Sequence, residues 1–221
     1  MQRLATVLGY RFHDLPLLSQ ALTHRSTGVH NNERLEFLGD ALLNAVISAE
    51  LFARHAELDE GALTRLRASL VNQDALAAMA ADIELGAYLH LGSGELKSGG
   101  QRRNSILADS LEAVLGAIFL DGGFESVRAV ILHLFAERLA APPALDTLKD
   151  GKTLLQEALQ ARGLPLPVYS VEKITGQAHQ QVFHVLCQLE AQGISAQGTA
   201  ASRRVAEQVA ARHALEQLRR A

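Results

Sequence analysis

Asn32-Glu33-Arg34-Leu35-Glu36-Phe37-Leu38-Gly39-Asp40 places three carboxylates at i, i+3 and i+7 of a segment whose apolar spacing predicts a helix over 32–54. At about 100° per residue, Glu33, Glu36 and Asp40 fall within roughly 60° of one another. Leu35, Leu38, Leu42, Ala45, Val46 and Ala49 gather on the opposite side and read as the core stripe. Three like charges on one face repel, so the pattern costs stability unless a cation sits among them. The spacing recurs at Asp109 and Glu112, inside Ser105-Ile106-Leu107-Ala108-Asp109-Ser110-Leu111-Glu112-Ala113-Val114-Leu115-Gly116. Two such helices facing each other would build an all-oxygen site suited to a hard divalent ion.

A solvated acidic helix face is the ordinary alternative, and two details weigh against it. Neither Asp40 nor Asp109 has Lys or Arg at i+4, where a helix usually pairs its acids; Asn44 and Ala113 stand there. Gly39 and Gly116 lie inside their helices, where each costs about 1 kcal/mol relative to alanine. A glycine at such a place makes sense if a neighbouring backbone or a substrate approaches closely. Phe37 lies about 40° from Glu33 on the wheel, away from the apolar stripe, and reads as a contact for a partner.

The chain has 221 residues, enough for one large or two modest domains, and its 48% hydrophobic content supports a packed core. Cys187 is the only cysteine, which excludes an intrachain disulfide and a cysteine zinc site. It alternates with Phe183, Val185 and Leu189 and reads as a core position on a strand. No apolar run approaches the ~20 residues of a membrane span, and the N-terminus lacks a signal-peptide pattern, so a soluble cytoplasmic protein is expected. The net charge of −3 hides an asymmetry: residues 1–145 carry 12 Lys and Arg against 17 Asp and Glu, whereas 146–221 carry 9 against 7. An acidic catalytic part followed by a mildly basic binding part fits that split.

Helical periodicity runs through the first 140 residues, most clearly at 15–22, 32–54, 62–80, 104–120 and 125–140. Breaks are expected at Thr27-Gly28, at Asp59-Glu60-Gly61, from Gly92 to Gly100, and at Asp121-Gly122-Gly123. Pro142 and Pro143 end the helical region and open a linker at about 141–149. A helix at 151–162 follows, then period-two stretches at 168–175, 181–190 and 193–199, then a helix over 203–219. The order αβββα predicts a small sheet with both helices on one face. The fold class is therefore multidomain: an all-α domain over 1–145 and an α+β domain over 150–221.

Three familiar patterns fail on inspection. Gly151-Lys152-Thr153 lacks the glycine five positions earlier that a phosphate loop needs; Asp146 is there, with no preceding strand. No glutamate has histidine three residues on, which excludes a di-iron bundle pair. His13-Asp14 has no second histidine–aspartate arrangement to complete a phosphohydrolase site. By contrast, Ser202-Arg203-Arg204 opens the last helix with two cations that oppose the helix dipole, which suits an N-terminus engaged by phosphate.

The residues from Asn32 to Asp40 resemble the ribonuclease III motif, and Ser105 to Glu112, continuing through Gly116-Ala117-Ile118-Phe119-Leu120-Asp121, resembles its partner. Residues 150–220 resemble the double-stranded RNA-binding domain that follows it. The pieces are Lys152-Thr153-Leu154-Leu155-Gln156-Glu157, Gly176-x-Ala178-His179-x-x-x-Phe183 and Ser202-Arg203-Arg204-x-Ala206-Glu207. The resemblance implies that Glu36, Asp40, Asp109 and Glu112 hold Mg²⁺, with Mn²⁺ as a substitute, and that Asp40 and Glu112 are catalytic. It makes Glu33 and Glu60 auxiliary acids and Phe37 the aromatic inserted into the other subunit of a homodimer. Thr153, Gln156 and Glu157 would meet one minor groove of double-stranded RNA and His179 the next, while Ser202, Arg203 and Arg204 would face the phosphates between.

The implied activity is endonucleolytic cleavage of double-stranded RNA, leaving 5′-phosphate and 3′-hydroxyl ends on rRNA precursors and other structured transcripts. Two departures stand out. Asn104 replaces the acid that many relatives carry before Ser-Ile-Leu, and Val205 and Glu207 replace lysines common in such RNA-binding domains. Weaker RNA binding is the expectation from the second.

Overall fold

The computed structural model of this chain describes residues 2–28, 30–177 and 180–220. Contacts gather into two units, residues 1–143 and 144–221. The first unit is helical: α1 Gln2–Leu8, α2 Leu15–Ala21, α3 Glu33–Arg54, α4 Glu60–Val71, α5 Gln73–Asp82, α6 Ser93–Lys97, α7 Asn104–Leu134 and α8 Ala136–Ala140. α7 runs through the middle and packs against α3, α5 and α2. Ile106, Leu107, Leu111, Val114, Leu115 and Ile118 are buried there with Ala108, Ala113 and Ala117. A helix apolar on nearly every side has to lie at the centre of its domain.

Helix starts follow short polar side chains. Asp14 accepts from the Leu17 amide, Asp59 from Ala62 and Asn72 from Ala75, each relieving an amide that the helix itself cannot satisfy. These caps correct the expected helix over 62–80. It is two helices: Asp59 starts α4 at Glu60, so Glu60 and Gly61 lie in its first turn, and Asn72 interrupts the pattern to start α5. α1 was not anticipated, although Leu4 and Leu8, an i,i+4 pair each 1% exposed, anchor it. The expected loop from Gly92 to Gly100 contains α6, followed by a short 3-10 turn over Gly100–Arg102.

The break at Asp121-Gly122-Gly123 is a kink within α7, made by Gly123 at φ +81°. Asp121 pins the chain's beginning to this kink. Its buried carboxylate accepts from the Tyr10 hydroxyl at 2.7 Å and from the His13 and Asp14 amides at 2.9 and 2.8 Å. The His13-Asp14 pair thus serves the α1–α2 turn: both backbones bind Asp121, and Asp14 caps α2.

The apolar stripe of α3 is rotated from the expected one. Leu35, Gly39, Leu43, Val46, Ile47 and Leu51 are buried, whereas Leu38 and Leu42 are half-buried and Ala45 and Ala49 exposed. Apolar residues occupy well over half of this helix, and the side that α7 takes is set by the glycine, which the apolar count undervalues.

In the second unit, α9 Leu145–Leu148 lies within the expected linker, ahead of α10 Gly151–Ala161, β1 Val168–Thr175, β2 Val182–Leu189, β3 Ile194–Ala200 and α11 Arg203–Arg220. The sheet is antiparallel in the order β1-β2-β3, with Cys187 opposite both Tyr169 and Ala196. Val185, Cys187 and Leu189 bury one face of β2 against Leu155 and Leu159 of α10 and Ala210, Ala214 and Leu218 of α11. The αβββα order and the core cysteine match the alternation in the sequence. No helix among the described residues is long and apolar enough to cross a membrane.

Candidate metal centre

α3 and α7 cross backbone to backbone. A Cβ on Gly39 would stand 1.8 Å from the Glu112 carbonyl oxygen, and one on Gly116 2.2 Å from that of Leu35. Only glycine fits at either position, so the close neighbour anticipated for them is the opposing helix. Behind the crossing, the buried Asn32 side chain donates to the buried Ser110 hydroxyl at 3.5 Å, and the Asn32 amide donates to the Thr23 carbonyl at 2.9 Å.

This crossing brings Glu36 of α3 against Asp109 and Glu112 of α7, with one carboxylate oxygen of each within 4.8 Å of the others. All three are half-buried. Burial first, then the charges of Asp40, Asp109 and Glu36, push the Glu112 carboxyl up to about 8. Burial and the neighbouring Asp109 and Glu33 raise Glu36. Burial raises Asp109 also, against the opposing pull of Arg25 and His24. Carboxyls crowded enough to resist ionisation are stabilised as carboxylates by a cation, and an all-oxygen set favours Mg²⁺-like ions. The donor chemistry therefore fits a hard divalent ion.

Asp40 stands one turn beyond Glu36 and outside that triplet. Its Oδ1 accepts from Asn44 at 2.7 Å, yet its charge is the largest charge effect on Glu112. Glu33 lies at the exposed edge, where Arg25 reaches it at 3.4 Å and Asn31 at 3.1 Å. Glu60 sits at the start of α4, accepting from Thr64 at 2.9 Å, and is not among the charges acting on the triplet. Asn104 donates to Asp74 at 3.0 Å; an acid there would face a second acid.

Sequence reasoning missed His24 and Arg25, the cationic side of this site. Arg25 opens a 3-10 turn, Arg25–Thr27, that His24 caps; its Ser26 accepts from the Gly92 amide at 2.8 Å, while the His24 amide donates to the His90 carbonyl at 3.0 Å. That long-range clamp places them beside the acids, and no local spacing encodes it.

Phe37 is 80% exposed, and Phe52 on the same helix 74%. With Ala41, Ala45 and Ala49 exposed between them, α3 presents an apolar strip on the side away from α7.

In the second unit, Gln156 and Glu157 are exposed on α10, and Thr153 is half-buried in its first turn. Glu157 pairs with Lys149 at 2.6 Å. Ser202 accepts from the Val205 amide at 3.3 Å, with Arg203 and Arg204 exposed at the start of α11. His179 lies outside the described residues.

A family model described as Ribonuclease-III-like matches residues 14–139, and one described as Double-stranded RNA binding motif matches residues 152–218. The chain is 54% identical over 220 residues to Ribonuclease 3 of Aromatoleum aromaticum, covering 100% of this chain and 98% of that one. It is 54% identical over 215 residues to Ribonuclease 3 of Hahella chejuensis, covering 97% and 95%. Among solved structures, the nuclease domain of ribonuclease III from Campylobacter jejuni aligns with a TM-score of 0.61 at 42% identity, covering 65% of this chain and 97% of that one. A second structure of that domain, at TM-score 0.60 and 44% identity over 62% of this chain and 96% of that one, is described for flexibility in a region involved in dimer formation.

Proposed function

This chain belongs to the ribonuclease III family of double-stranded-RNA endonucleases, and we propose that Glu36, Asp40, Asp109 and Glu112 hold Mg²⁺ for that cleavage, with Mn²⁺ able to replace it. The observation that carries this reading is the meeting of Glu36, Asp109 and Glu112 at the glycine crossing. Asp40 completes the set by exchanging Asn44 for the ion. A divalent ion held by these carboxylates would supply Lewis-acid chemistry, activating a water and offsetting charge on the phosphodiester, so that hydrolysis would leave 5′-phosphate and 3′-hydroxyl ends.

Within that frame the chain's own groups have distinct tasks. The four carboxylates fix the cation; Asn32 and Ser110 hold the two helices in register behind them. Glu33 and Glu60 extend the acidic lining, and Arg25 balances its charge. Residues 1–145 form the nuclease domain, and residues 150–221 hold the duplex through Thr153, Gln156, Glu157, His179, Ser202, Arg203 and Arg204. One chain supplies one acid cluster and a duplex has two strands, so a symmetric homodimer closing over Phe37 delivers both cuts. The exposed strip from Phe37 to Phe52 supports that contact. The setting is cytoplasmic, and the substrates are rRNA precursors with other structured mRNA and tRNA transcripts.

Incubation with long double-stranded RNA, with and without Mg²⁺, tests the reading. Short duplex fragments only in the presence of the ion are expected. Cleavage insensitive to chelation would remove the metal from the account, and no cleavage under any divalent ion would leave a binding protein.

A further inference from the structure

Glu207 occupies a place where a lysine is common, and charge counting makes it a subtraction from RNA binding. The geometry points the other way. Glu207 is 9% exposed, and both its oxygens are engaged: Lys152 Nζ of α10 donates to Oε2 at 2.7 Å, and Arg203 Nε of α11 donates to Oε1 at 2.9 Å. The Lys152 ammonium also lies 4.5 Å from the centre of the Tyr169 ring. The hydrogen bond from Lys152, followed by that from Arg203, outweighs burial and holds the Glu207 carboxyl below its usual range.

We propose that Glu207 is a positioning residue for RNA: anchored by Lys152, it grips Arg203 by Nε and aims the remaining guanidinium edge at a duplex phosphate. This rests on the reading of Arg203 as a phosphate contact. Three features support it. The Lys152 side chain is only 40% exposed and is committed to Glu207 and the Tyr169 ring, whereas that of Arg203 is 63% exposed. Arg203 donates through Nε, so both Nη groups remain available in the planar fork that matches a phosphate. The brace also ties α10 to α11, the two helices that carry the RNA-facing residues. Arg204, next in the chain and exposed, has no comparable acid partner among the described residues and serves as an internal control.

The test is a set of binding isotherms on the full chain with a short RNA duplex in EDTA, over a series of salt concentrations. Glu207→Ala is expected to weaken binding roughly 2- to 150-fold, the range of a coupling between touching side chains. It should also flatten the log K against log salt slope by about one phosphate contact, ~0.7 to 0.9. The loss should vanish in an Arg203→Ala background and persist in an Arg204→Ala background. Glu207→Lys should weaken binding too, despite adding positive charge.

Tighter binding by Glu207→Ala or Glu207→Lys would overturn the proposal, leaving Glu207 as a mere opposing charge. A loss that persists undiminished in Arg203→Ala, with an unchanged salt slope, would also overturn it and make Glu207 structural. If Arg203→Ala alone binds normally, the phosphate contact itself is wrong and the brace falls with it. A loss in Arg203→Ala with none in Glu207→Ala removes the brace only.

Discussion

Gly39 and Gly116 face each other where α3 crosses α7, and the amide of Gly39 would lie 3.2 Å from a Cβ placed on Gly116. The acid cluster depends on this contact, because the separation of the two helices sets the separation of Glu36 from Asp109 and Glu112. Gly39→Ala puts a methyl group 1.8 Å from the Glu112 carbonyl oxygen, which belongs to backbone and cannot swing aside. We expect a loss of about 1–3 kcal/mol or more in chemical denaturation, with Mg²⁺-dependent cleavage lost in the fraction that stays folded. Wild-type stability and activity in Gly39→Ala would mean the helices have room that the crossing denies them.

Glu112 is the most perturbed of the three acids, so its replacement separates chemistry from binding. Glu112→Gln keeps the side chain's shape and removes its charge. Cleavage in Mg²⁺ should fall by at least ~100-fold, beyond the loss typical of an outer-shell partner, while duplex affinity survives. Loss of cleavage and binding together would assign Glu112 to the fold.

The raised carboxyl also fixes a pH dependence. In metal-free protein Glu112 keeps its proton up to about 8, whereas the unfolded chain releases it near 4.5. Over that interval the folded state binds more protons than the unfolded one, so stability falls as pH rises. A divalent ion requires the ionised form, so its affinity rises over the same interval, about tenfold per pH unit for each proton displaced. Calorimetric Mg²⁺ titrations below and above the transition check this, and an affinity indifferent to pH would contradict it.

How much of this was open to reading varies with the range of the interaction. The acids at i and i+3, the glycines within helices and the αβββα alternation are local patterns, and they pointed to the meeting of Glu36 with Asp109 and Glu112, the close approach and the second domain, whereas Asp40, expected in the same set, stands outside the triplet. Which side of α3 faces α7 was not legible. Apolar residues surround most of that helix, and the wheel chose Leu38, Leu42, Ala45 and Ala49 where the structure buries Gly39, Leu43, Ile47 and Leu51. Arg25 and the Glu207 brace escaped for a related reason. Each depends on a partner far along the chain, Gly92 packing on Ser26 in one case and Lys152 reaching Glu207 in the other.

The side of α3 turned away from α7 makes a prediction of its own. Phe37 and Phe52 are both exposed at opposite ends of one apolar strip, and closing a symmetric partner over the strip would bury them. Phe37→Ala should weaken the dimer in sedimentation velocity, and Phe37→Ala with Phe52→Ala should weaken it further. An unaltered dimer in the double variant would place the interface elsewhere.

The most direct measurement is anomalous diffraction from crystals of the protein grown with Mn²⁺. A peak is expected between Glu36, Asp109 and Glu112, at ligand distances of about 2.0–2.2 Å from carboxylate oxygens, with Asp40 turned from Asn44 toward it. Full occupancy of Mn²⁺ elsewhere on the protein, with those three carboxylates bare and cleavage still dependent on the ion, would contradict the account.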